Sequence, residues 1–193
     1  MKIGCTPGVF TLALSQLDYS LYGVDINPDG CNKVVSRESL IKKCNLEYEN
    51  IPFDDNFFDC VLFTEVYEHL HPFRTKTVMQ EIHRCLKPGG FLIFSTPNLF
   101  ALENRIFMLF GGIDALGGGI TPTHHTREYG IKEIARAFQE TNFAVERIYF
   151  SAARDLVTVN ERWKNIGRKL LYVPKMIVPS FRSCIFVIAK KRS

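Results

Sequence analysis

The feature that most constrains this 193-residue sequence is a series of short, almost continuously apolar segments separated by amphipathic ones. Near-continuous apolar runs, rather than alternating ones, are typical of strands in a sheet that is covered on both faces. The segments between them place apolar residues at helical spacing. This alternation predicts an α/β fold with a mainly parallel sheet. The predicted strands are residues 21–26, 39–43, 59–64, 91–95, 143–150 and 183–189.

Turn-forming residues set several limits of the predicted helices. The third helix ends before Gly111 and Gly112, and Asn142 is expected to cap the fourth. The strand at 91–95 is expected to be entered through a turn at residues 87–90, Lys-Pro-Gly-Gly. The predicted helices are residues 10–17, 75–86, 99–110 and 131–140, followed by a basic amphipathic helix at 155–171.

Composition excludes several classes of protein. The chain is 46% hydrophobic and 23% charged, which is ordinary for a globular domain. No apolar run reaches the roughly 18 residues of a membrane span, and the first residues lack the apolar region of a signal peptide. The six cysteines are scattered and include no Cys-x-x-Cys pair, so we expect neither a disulfide framework nor a metal site. This pattern favours a cytoplasmic location.

Charge is distributed unevenly along the chain. Residues 1–150 carry 14 basic and 18 acidic side chains, whereas residues 151–193 carry 10 basic and 2 acidic ones. The basic end either contacts an anionic surface or is a solvated face without a partner. Its segment 154–182 mixes basic and apolar residues, which is compatible with peripheral membrane contact. The alternative, which we favour, is that its apolar face covers the sheet or a substrate pocket.

A glycine-rich turn and a later acid point to a nucleoside-binding edge. Residues 4–8 read Gly-Cys-Thr-Pro-Gly before the first predicted helix, and glycine allows a ligand to approach the backbone closely. Asp25 ends the next strand, where an acid is placed to accept hydrogen bonds from ribose hydroxyls. The third glycine of the dinucleotide fingerprint is missing, which argues against pyrophosphate binding.

A series of further segments follows this loop in a fixed order. Together they resemble the class I S-adenosylmethionine-dependent methyltransferases, in the small-molecule branch often called type 11, over about residues 3–150. The segments that carry the resemblance are Gly4-Cys5-Thr6-Pro7-Gly8, Gly23-Val24-Asp25-Ile26-Asn27-Pro28, Asn45-Leu46, Ile51-Pro52-Phe53, Phe58-Asp59-Cys60-Val61, Glu68-His69-Leu70, residues 81–90, Ser95-Thr96-Pro97-Asn98 and residues 125–129.

The resemblance implies a fold, a cofactor and a set of binding residues. The fold would be a three-layer α/β/α domain over residues 1–193, with a helical insertion at about 151–182. Its doubly wound, seven-stranded sheet would have the order 3-2-1-4-5-7-6 with strand 7 antiparallel. The cofactor would be S-adenosyl-L-methionine, leaving as S-adenosyl-L-homocysteine. The implied cofactor-binding residues are Gly4, Thr6, Gly8, Asp25, Ile26, Asn45, Leu46, Thr64 and Glu65.

The sequence departs from the family pattern at the cofactor end. It begins where the first strand should be ending, so we expect that strand to be short or missing and the chain to be truncated at its N-terminus. Lys2 stands where the family has an acid that holds the cationic amino-acid end of the cofactor. Thr6 replaces the middle glycine of the loop, and Asn45 replaces the usual Asp. These changes predict lower cofactor affinity in an unchanged fold.

Methyl transfer is a displacement at a sulfonium, so the protein supplies alignment, desolvation and a base for the acceptor's proton. The candidate bases are His125 and Glu65. His125 lies in a glycine-rich stretch, residues 111–126, that is long enough to cover a substrate. The alternative, which we favour, is that His125 and Arg127 tie this loop to the domain. His69 is expected to be structural.

Three functions therefore stand as hypotheses. The first is a methyltransferase acting on a small molecule, including a lipid-linked or sugar acceptor. The second is a degenerate relative that keeps the fold as a binding or scaffolding module. The third, nucleic-acid methylation, depends only on the basic end, and the sequence lacks the Asn/Asp-Pro-Pro-Tyr/Phe motif of amino-methylating enzymes. We therefore expect no nucleic-acid partner.

Overall fold

A computed structural model describes residues 1–5, 9–17, 19–32, 40–109, 125–151 and 174–192. Several sequence predictions fall outside these ranges. They include the positions of Thr6 and Gly8, the loop at 111–124 and the basic helix at 155–171.

Seven strands form one sheet in the order β3-β2-β1-β4-β5-β7-β6. The pairs from β3 through β5 are parallel, and β7 runs antiparallel to both of its neighbours. The predicted strand order and the antiparallel seventh strand are confirmed, and the first strand is short, as predicted. The strands are β1 Lys2–Ile3, β2 Tyr22–Asp25, β3 Leu40–Lys43, β4 Phe58–Thr64, β5 Leu86–Pro97, β6 Phe143–Ser151 and β7 Cys184–Lys191.

Helices flank the sheet, and α5 has the predicted limits. Its C-cap, Thr141, donates its amide hydrogen to the carbonyl of Ala137, and Asn142 follows in the left-handed conformation at φ 60°. Helix α3 begins at Pro72, three positions before the predicted start, because proline suits the first turn of a helix. The helices are α1 Val9–Ser15, α2 Asp29–Asn32, α3 Pro72–Cys85, α4 Leu102–Leu109 and α5 Ile131–Glu140, with short 3₁₀ turns at Tyr67–His69 and Pro179–Phe181.

The predicted turn at residues 87–90 is wrong, because these residues belong to β5. Leu86 already pairs with Phe58 on β4, and the regular register resumes where Phe91 meets Cys60. The intervening residues form an irregularity in the strand, with Gly89 in the left-handed region at φ 74°. The Pro-Gly-Gly sequence thus produces a bulge inside a strand and not a turn before one.

The core lies where the central strands meet α3 and α5. The side chains of Phe63, Phe94 and Phe138 are almost completely buried, and the rings of Phe94 and Phe138 meet edge to face at 5.3 Å. Burying each such ring contributes about 2–3 kcal/mol. The apolar face predicted for α3 is buried, and Ile134 and Phe138 of α5 are buried with it, whereas Ala135 is exposed.

No helix within the described ranges is long and apolar enough to span a membrane. The sheet register shows where a ligand would meet the fold. Ile3 pairs with Val24 on one side and with Phe63 on the other. The next residue of each strand therefore stands at one level, at the carboxyl edge of the parallel strands, where open α/β sheets bind their ligands. The residues at this level are Gly4, Asp25, Thr64 and Ser95.

Candidate active site

Asp25 ends β2 with both carboxylate oxygens held by backbone amides. The amide of Cys5 donates to Oδ2 at 2.6 Å, and the amide of Asn27 donates to Oδ1 at 2.8 Å. These two amides fix the orientation of the carboxylate at the end of β2. The next residue, Ile26, is 61% exposed and offers an apolar wall beside it. Both residues fit the predicted ribose and adenine contacts, which remain predictions.

Gly4 is required by the backbone where the chain leaves β1. Its φ is 71°, and a Cβ at this position would lie 2.4 Å from Cγ2 of Val66. Its amide donates to the carbonyl of Val24 at 3.0 Å, which fixes the start of the loop against β2. Glycine is therefore explained by geometry at this position, and its contact with a cofactor remains a prediction.

Lys2 lies buried on β1 and sends its ammonium to the carboxyl edge. The residue is 5% exposed, and its Nζ donates a hydrogen bond to the carbonyl oxygen of Gly4. The carbonyl of Ile3 lies 3.5 Å from Nζ, and the ring centre of Phe10 lies 5.6 Å away. Burial lowers the pKa of Lys2. A cation thus occupies the end of the central strand, beside the glycine loop.

Asn45 and Leu46 form a turn after β3. The side-chain oxygen of Asn45 accepts a hydrogen bond from the amide of Glu47 at 3.1 Å. Leu46 is buried in the core, and its carbonyl accepts two hydrogen bonds from the guanidinium of Arg74. These contacts fix the turn structurally, and the predicted contact of both residues with an adenine edge remains a prediction.

Thr64 and Glu65 end β4 at the centre of this edge. Thr64 is half-buried, and Glu65 is exposed with a backbone φ of 54°, a left-handed conformation that is strained for this residue type. Oε1 of Glu65 accepts hydrogen bonds from Oγ of Ser95 at 2.8 Å and from Sγ of Cys184 at 3.3 Å. Side chains on β5 and β7 therefore hold this carboxylate at the edge, and no described residue bonds to Oε2.

Glu68, three positions later, is a functional candidate that our reading of the sequence missed. It is 1% exposed, and Oγ1 of Thr96 donates to its Oε2 at 3.0 Å. Its Oε1 is buried and has no hydrogen-bond partner among the described residues. Burial, reinforced by the charge of Glu65, raises the pKa of Glu68 to about 7. The available signal was the Glu68-His69-Leu70 segment itself.

His125 belongs to a chain of hydrogen bonds that reaches α4. Its Nδ1 lies 3.3 Å from Oε1 of Glu128, and Oε2 of Glu128 accepts a hydrogen bond from Nδ2 of Asn104 at 3.0 Å. The His125 side chain is only 8% exposed, and its ring meets that of His69 edge to face at 5.0 Å. A carboxylate on one ring nitrogen fixes the tautomer and leaves the other nitrogen as the base.

The backbone ties this segment to the end of β4. The amides of Thr126 and Arg127 donate to the carbonyl of Glu68 at 2.9 and 3.1 Å. Oγ1 of Thr126 donates to the carbonyl of His69, and the Arg127 guanidinium pairs with Glu133. The tying role that we favoured is therefore present, but it is carried by the residues after His125, and the His125 ring is left facing Glu68 and His69.

The chain is similar to known proteins in sequence and in fold. Residues 1–94 match the family model described as a methyltransferase domain. Nearly half of this chain therefore resembles a methyltransferase domain. The predicted resemblance to S-adenosylmethionine-dependent methyltransferases is confirmed by this match and by the fold.

The chain has relatives of moderate identity. It is 29% identical to a human protein named ubiquinone biosynthesis O-methyltransferase, mitochondrial, over 153 residues that cover 74% of this chain and 40% of the human protein. It is 27% identical to demethylmenaquinone methyltransferase from Geobacillus stearothermophilus, over 72% of this chain and 63% of that one. The chain spans between 36 and 40% of the length of its mammalian relatives.

A solved structure of a SAM-dependent methyltransferase from Archaeoglobus fulgidus has the same fold as this chain. The TM-score is 0.67 at 20% identity, and the match covers 98% of this chain and 84% of that chain. At this identity the likeness concerns the fold alone.

The acidic half of the carboxyl edge of this sheet can hold a shared proton or a cation. Glu68, His69 and His125 each offer one ligand atom, and these atoms lie within 4.8 Å of one another. Carboxylate and imidazole groups bind divalent metals. The absence of a metal site therefore remains a prediction, and this group of side chains is the place to test it. None of the six cysteines forms a disulfide.

Proposed function

We propose that this chain is an S-adenosylmethionine-dependent methyltransferase that acts on a small-molecule acceptor related to quinols. One observation carries the proposal. The carboxyl edge of a methyltransferase-type sheet brings Asp25 at one end and the Glu68–His125 group at the other into the same ligand-facing layer. The first end is built to accept hydroxyls, and the second to accept a proton.

The described residues fit the nucleoside part of the cofactor. Asp25 presents a carboxylate, the group that accepts hydrogen bonds from ribose hydroxyls, and Ile26 exposes an apolar side chain for the adenine. Gly4 carries no side chain beside them. When bound, the cofactor supplies an electrophilic methyl group on a sulfonium. Lys2 fits the amino-acid end poorly, because a buried ammonium repels another.

His125 is the proposed base. Glu128 holds a proton on Nδ1, so Nε2 takes the proton of the acceptor hydroxyl. When bound, S-adenosylmethionine would give its methyl group to the acceptor oxygen and would leave as S-adenosylhomocysteine, so no other reactant is needed. Glu68 lies behind the imidazoles as a buried carboxyl that stabilises the positive charge gained by His125. Glu65, the other candidate, is fixed by Ser95 and Cys184 and shapes the edge.

Exposed apolar residues on α4, just before it and just after Lys175 favour a lipid-linked acceptor over a sugar. Glu103 of α4 pairs with Lys175, which places the segment after residue 174 against that helix. The relatives named above carry ubiquinone and demethylmenaquinone in their names, which suits an apolar acceptor. The same residues support the proposal of peripheral membrane contact at this rim. The exposed apolar side chains are Phe100, Phe107, Leu109, Met176 and Ile177.

The proposal is tested by methyl transfer from labelled S-adenosylmethionine to a panel of quinols with short prenyl tails, with a glycoside as the comparison acceptor. We expect methylation of a quinol and none of the sugar. His125→Gln should lower kcat by about 100-fold or more, because base catalysis contributes factors of that order. His71→Gln, at an exposed histidine, is the matched control and should retain full activity.

Two outcomes would redirect the proposal. If a chelator abolishes transfer and a divalent ion restores it, Glu68, His69 and His125 hold a cation and His125 is not the base. If the folded chain methylates nothing, the second candidate function gains support, a binding module that keeps the fold. The specific observation in its favour is the buried Lys2 at the cofactor end. The cytoplasmic location is likewise a proposal, supported by the reduced cysteines.

A further inference from the structure

Lys2 carries a buried charge that makes no ion pair with the described residues, although the carboxylate of Asp25 attracts it from a longer distance. Its residue is 5% exposed, and no carboxylate among the described residues lies within 4.0 Å of Nζ. Its acceptors there are two backbone carbonyls, those of Ile3 and Gly4. An ammonium has three N–H donors, so these carbonyls leave one donor for another group. Buried charges are normally paired, which makes this one a place where a ligand can supply the partner.

The position of this ammonium is set by the sheet. Lys2 pairs with Gly23 on one side and with Leu62 on the other, so its backbone lies in the middle of the parallel strands. Its side chain runs toward the carboxyl edge, because Nζ reaches the carbonyl of Gly4 beyond the end of β1. Asp25 stands at the same level on the next strand. The charge therefore lies in the ligand-facing layer, at the glycine-loop end of the site.

The proposed ligand presents three charges to this end. S-adenosylmethionine carries an α-ammonium, an α-carboxylate and a sulfonium, and the cation of Lys2 attracts only the carboxylate. The resembled family has an acid at this position, which favours the ammonium. The electrostatic preference of the pocket is thus reversed in this chain, and a ligand can bind well only if its carboxylate takes the place nearest Lys2.

We propose that Lys2 makes the β1 end of the cofactor site a carboxylate-binding subsite, which selects adenosyl ligands by their α-carboxylate. The inference rests on the proposed function, since it assumes that an adenosyl ligand binds this edge. Two consequences follow from the charges. Decarboxylated S-adenosylmethionine binds more weakly than the intact cofactor, and S-adenosylhomocysteine, which lacks the sulfonium charge, binds more tightly than S-adenosylmethionine.

The test is calorimetric titration of the whole chain with S-adenosylmethionine, S-adenosylhomocysteine and decarboxylated S-adenosylmethionine. We expect removal of the carboxylate to weaken binding by at least about ten-fold, since hydrogen bonds to charged groups have effects of this size. In Lys2→Met the new side chain has a similar length and suits a buried site. The intact and decarboxylated cofactors should then bind with nearly equal affinity. Lys2→Arg keeps the charge and should restore the preference.

The outcomes separate this inference from the proposed function. The ratio of interest is the dissociation constant of decarboxylated S-adenosylmethionine divided by that of the intact cofactor. If this ratio is the same in the original chain and in Lys2→Met, the subsite is refuted while the methyltransferase proposal stands. If no adenosyl ligand binds to any folded variant, both are refuted. Thermal melting of each variant identifies any loss of binding that is caused by unfolding, and Lys2→Arg then supplies the comparison if Lys2→Met fails to fold.

Discussion

The two ends of the carboxyl edge are built in opposite ways. At the β1–β2 end, backbone groups determine the geometry, since two carbonyl oxygens accept hydrogen bonds from the Lys2 ammonium and two amides donate to the Asp25 carboxylate. At the β4–β5 end, side chains from distant segments do so, and Glu68 is held by Thr96 and faces His125. One end carries a buried cation and the other a buried acid. The comparison teaches that the first end depends on chain conformation and the second on the pairing of individual groups.

The largest effect should come from a substitution that disturbs the backbone conformation at the β1–β2 end. Gly4→Ala adds a Cβ that would lie 2.4 Å from Cγ2 of Val66, and it does so at φ 71°. We expect the free energy of unfolding to fall by about 2–4 kcal/mol. Gly89→Ala is the matched control, because it has φ 74° and nothing within 4 Å of the added atom.

Gly89→Ala should cost only the conformational part, about 1 kcal/mol. Urea unfolding monitored by circular dichroism measures both values. Equal losses for the two variants would show that the contact with Val66 does not constrain Gly4, and that the first end is less rigid than described.

The buried acid at the second end should make stability depend on pH. The pKa of Glu68 is raised from 4.5 to about 7, so the unfolded chain loses this proton at lower pH than the folded chain does. The free energy of unfolding should therefore fall as the pH rises from about 4.5 to 7, by up to about 3 kcal/mol. Glu68→Gln should remove that fall.

The comparison is made by denaturant unfolding at several pH values, on the original chain, on Glu68→Gln and on Glu146→Gln, which changes an exposed acid. Glu68→Gln should remove the fall in stability with rising pH, whereas Glu146→Gln should leave it unchanged. A Glu68→Gln variant whose stability follows pH as the original chain does would mean that Glu68 is solvated and ionised in the fold.

The smallest effect should come from changing the partner of His125 without removing it. In Glu128→Gln the side-chain oxygen can still accept the hydrogen bond of Asn104, but an amide then faces Nδ1 of His125 and favours the wrong tautomer. We expect kcat to fall by about ten-fold with KM unchanged, because only the base is impaired.

Steady-state kinetics across pH with the best quinol acceptor test this expectation, with Glu146→Gln as the control. A rise in KM at constant kcat would indicate instead that Glu128 shapes the acceptor site. A rate equal to that of the original chain would remove Glu128 from the mechanism.

Much of the fold could be predicted from the sequence, because its signals are local. The apolar face of α5 and the continuous apolar run of β4 each fall within one segment, and the strand order followed from the resemblance. The bulge at Gly89 was missed because glycine pairs indicate turns locally, whereas the pairing of Leu86 with Phe58 joins distant parts of the chain. The buried environment of Glu68 was missed for the same reason, since Thr96 and His125 lie far from it in sequence.

The central claim is that this edge binds S-adenosylmethionine through Asp25. The most direct measurement is calorimetric titration of S-adenosylmethionine into the original chain, into Asp25→Ala and into Asp54→Ala, which changes an exposed acid away from the edge. The account predicts binding at roughly micromolar concentration, weakened by about ten-fold or more in Asp25→Ala and unchanged in Asp54→Ala. A folded chain that binds no S-adenosylmethionine, or an Asp25→Ala variant that binds it equally well, would contradict the account.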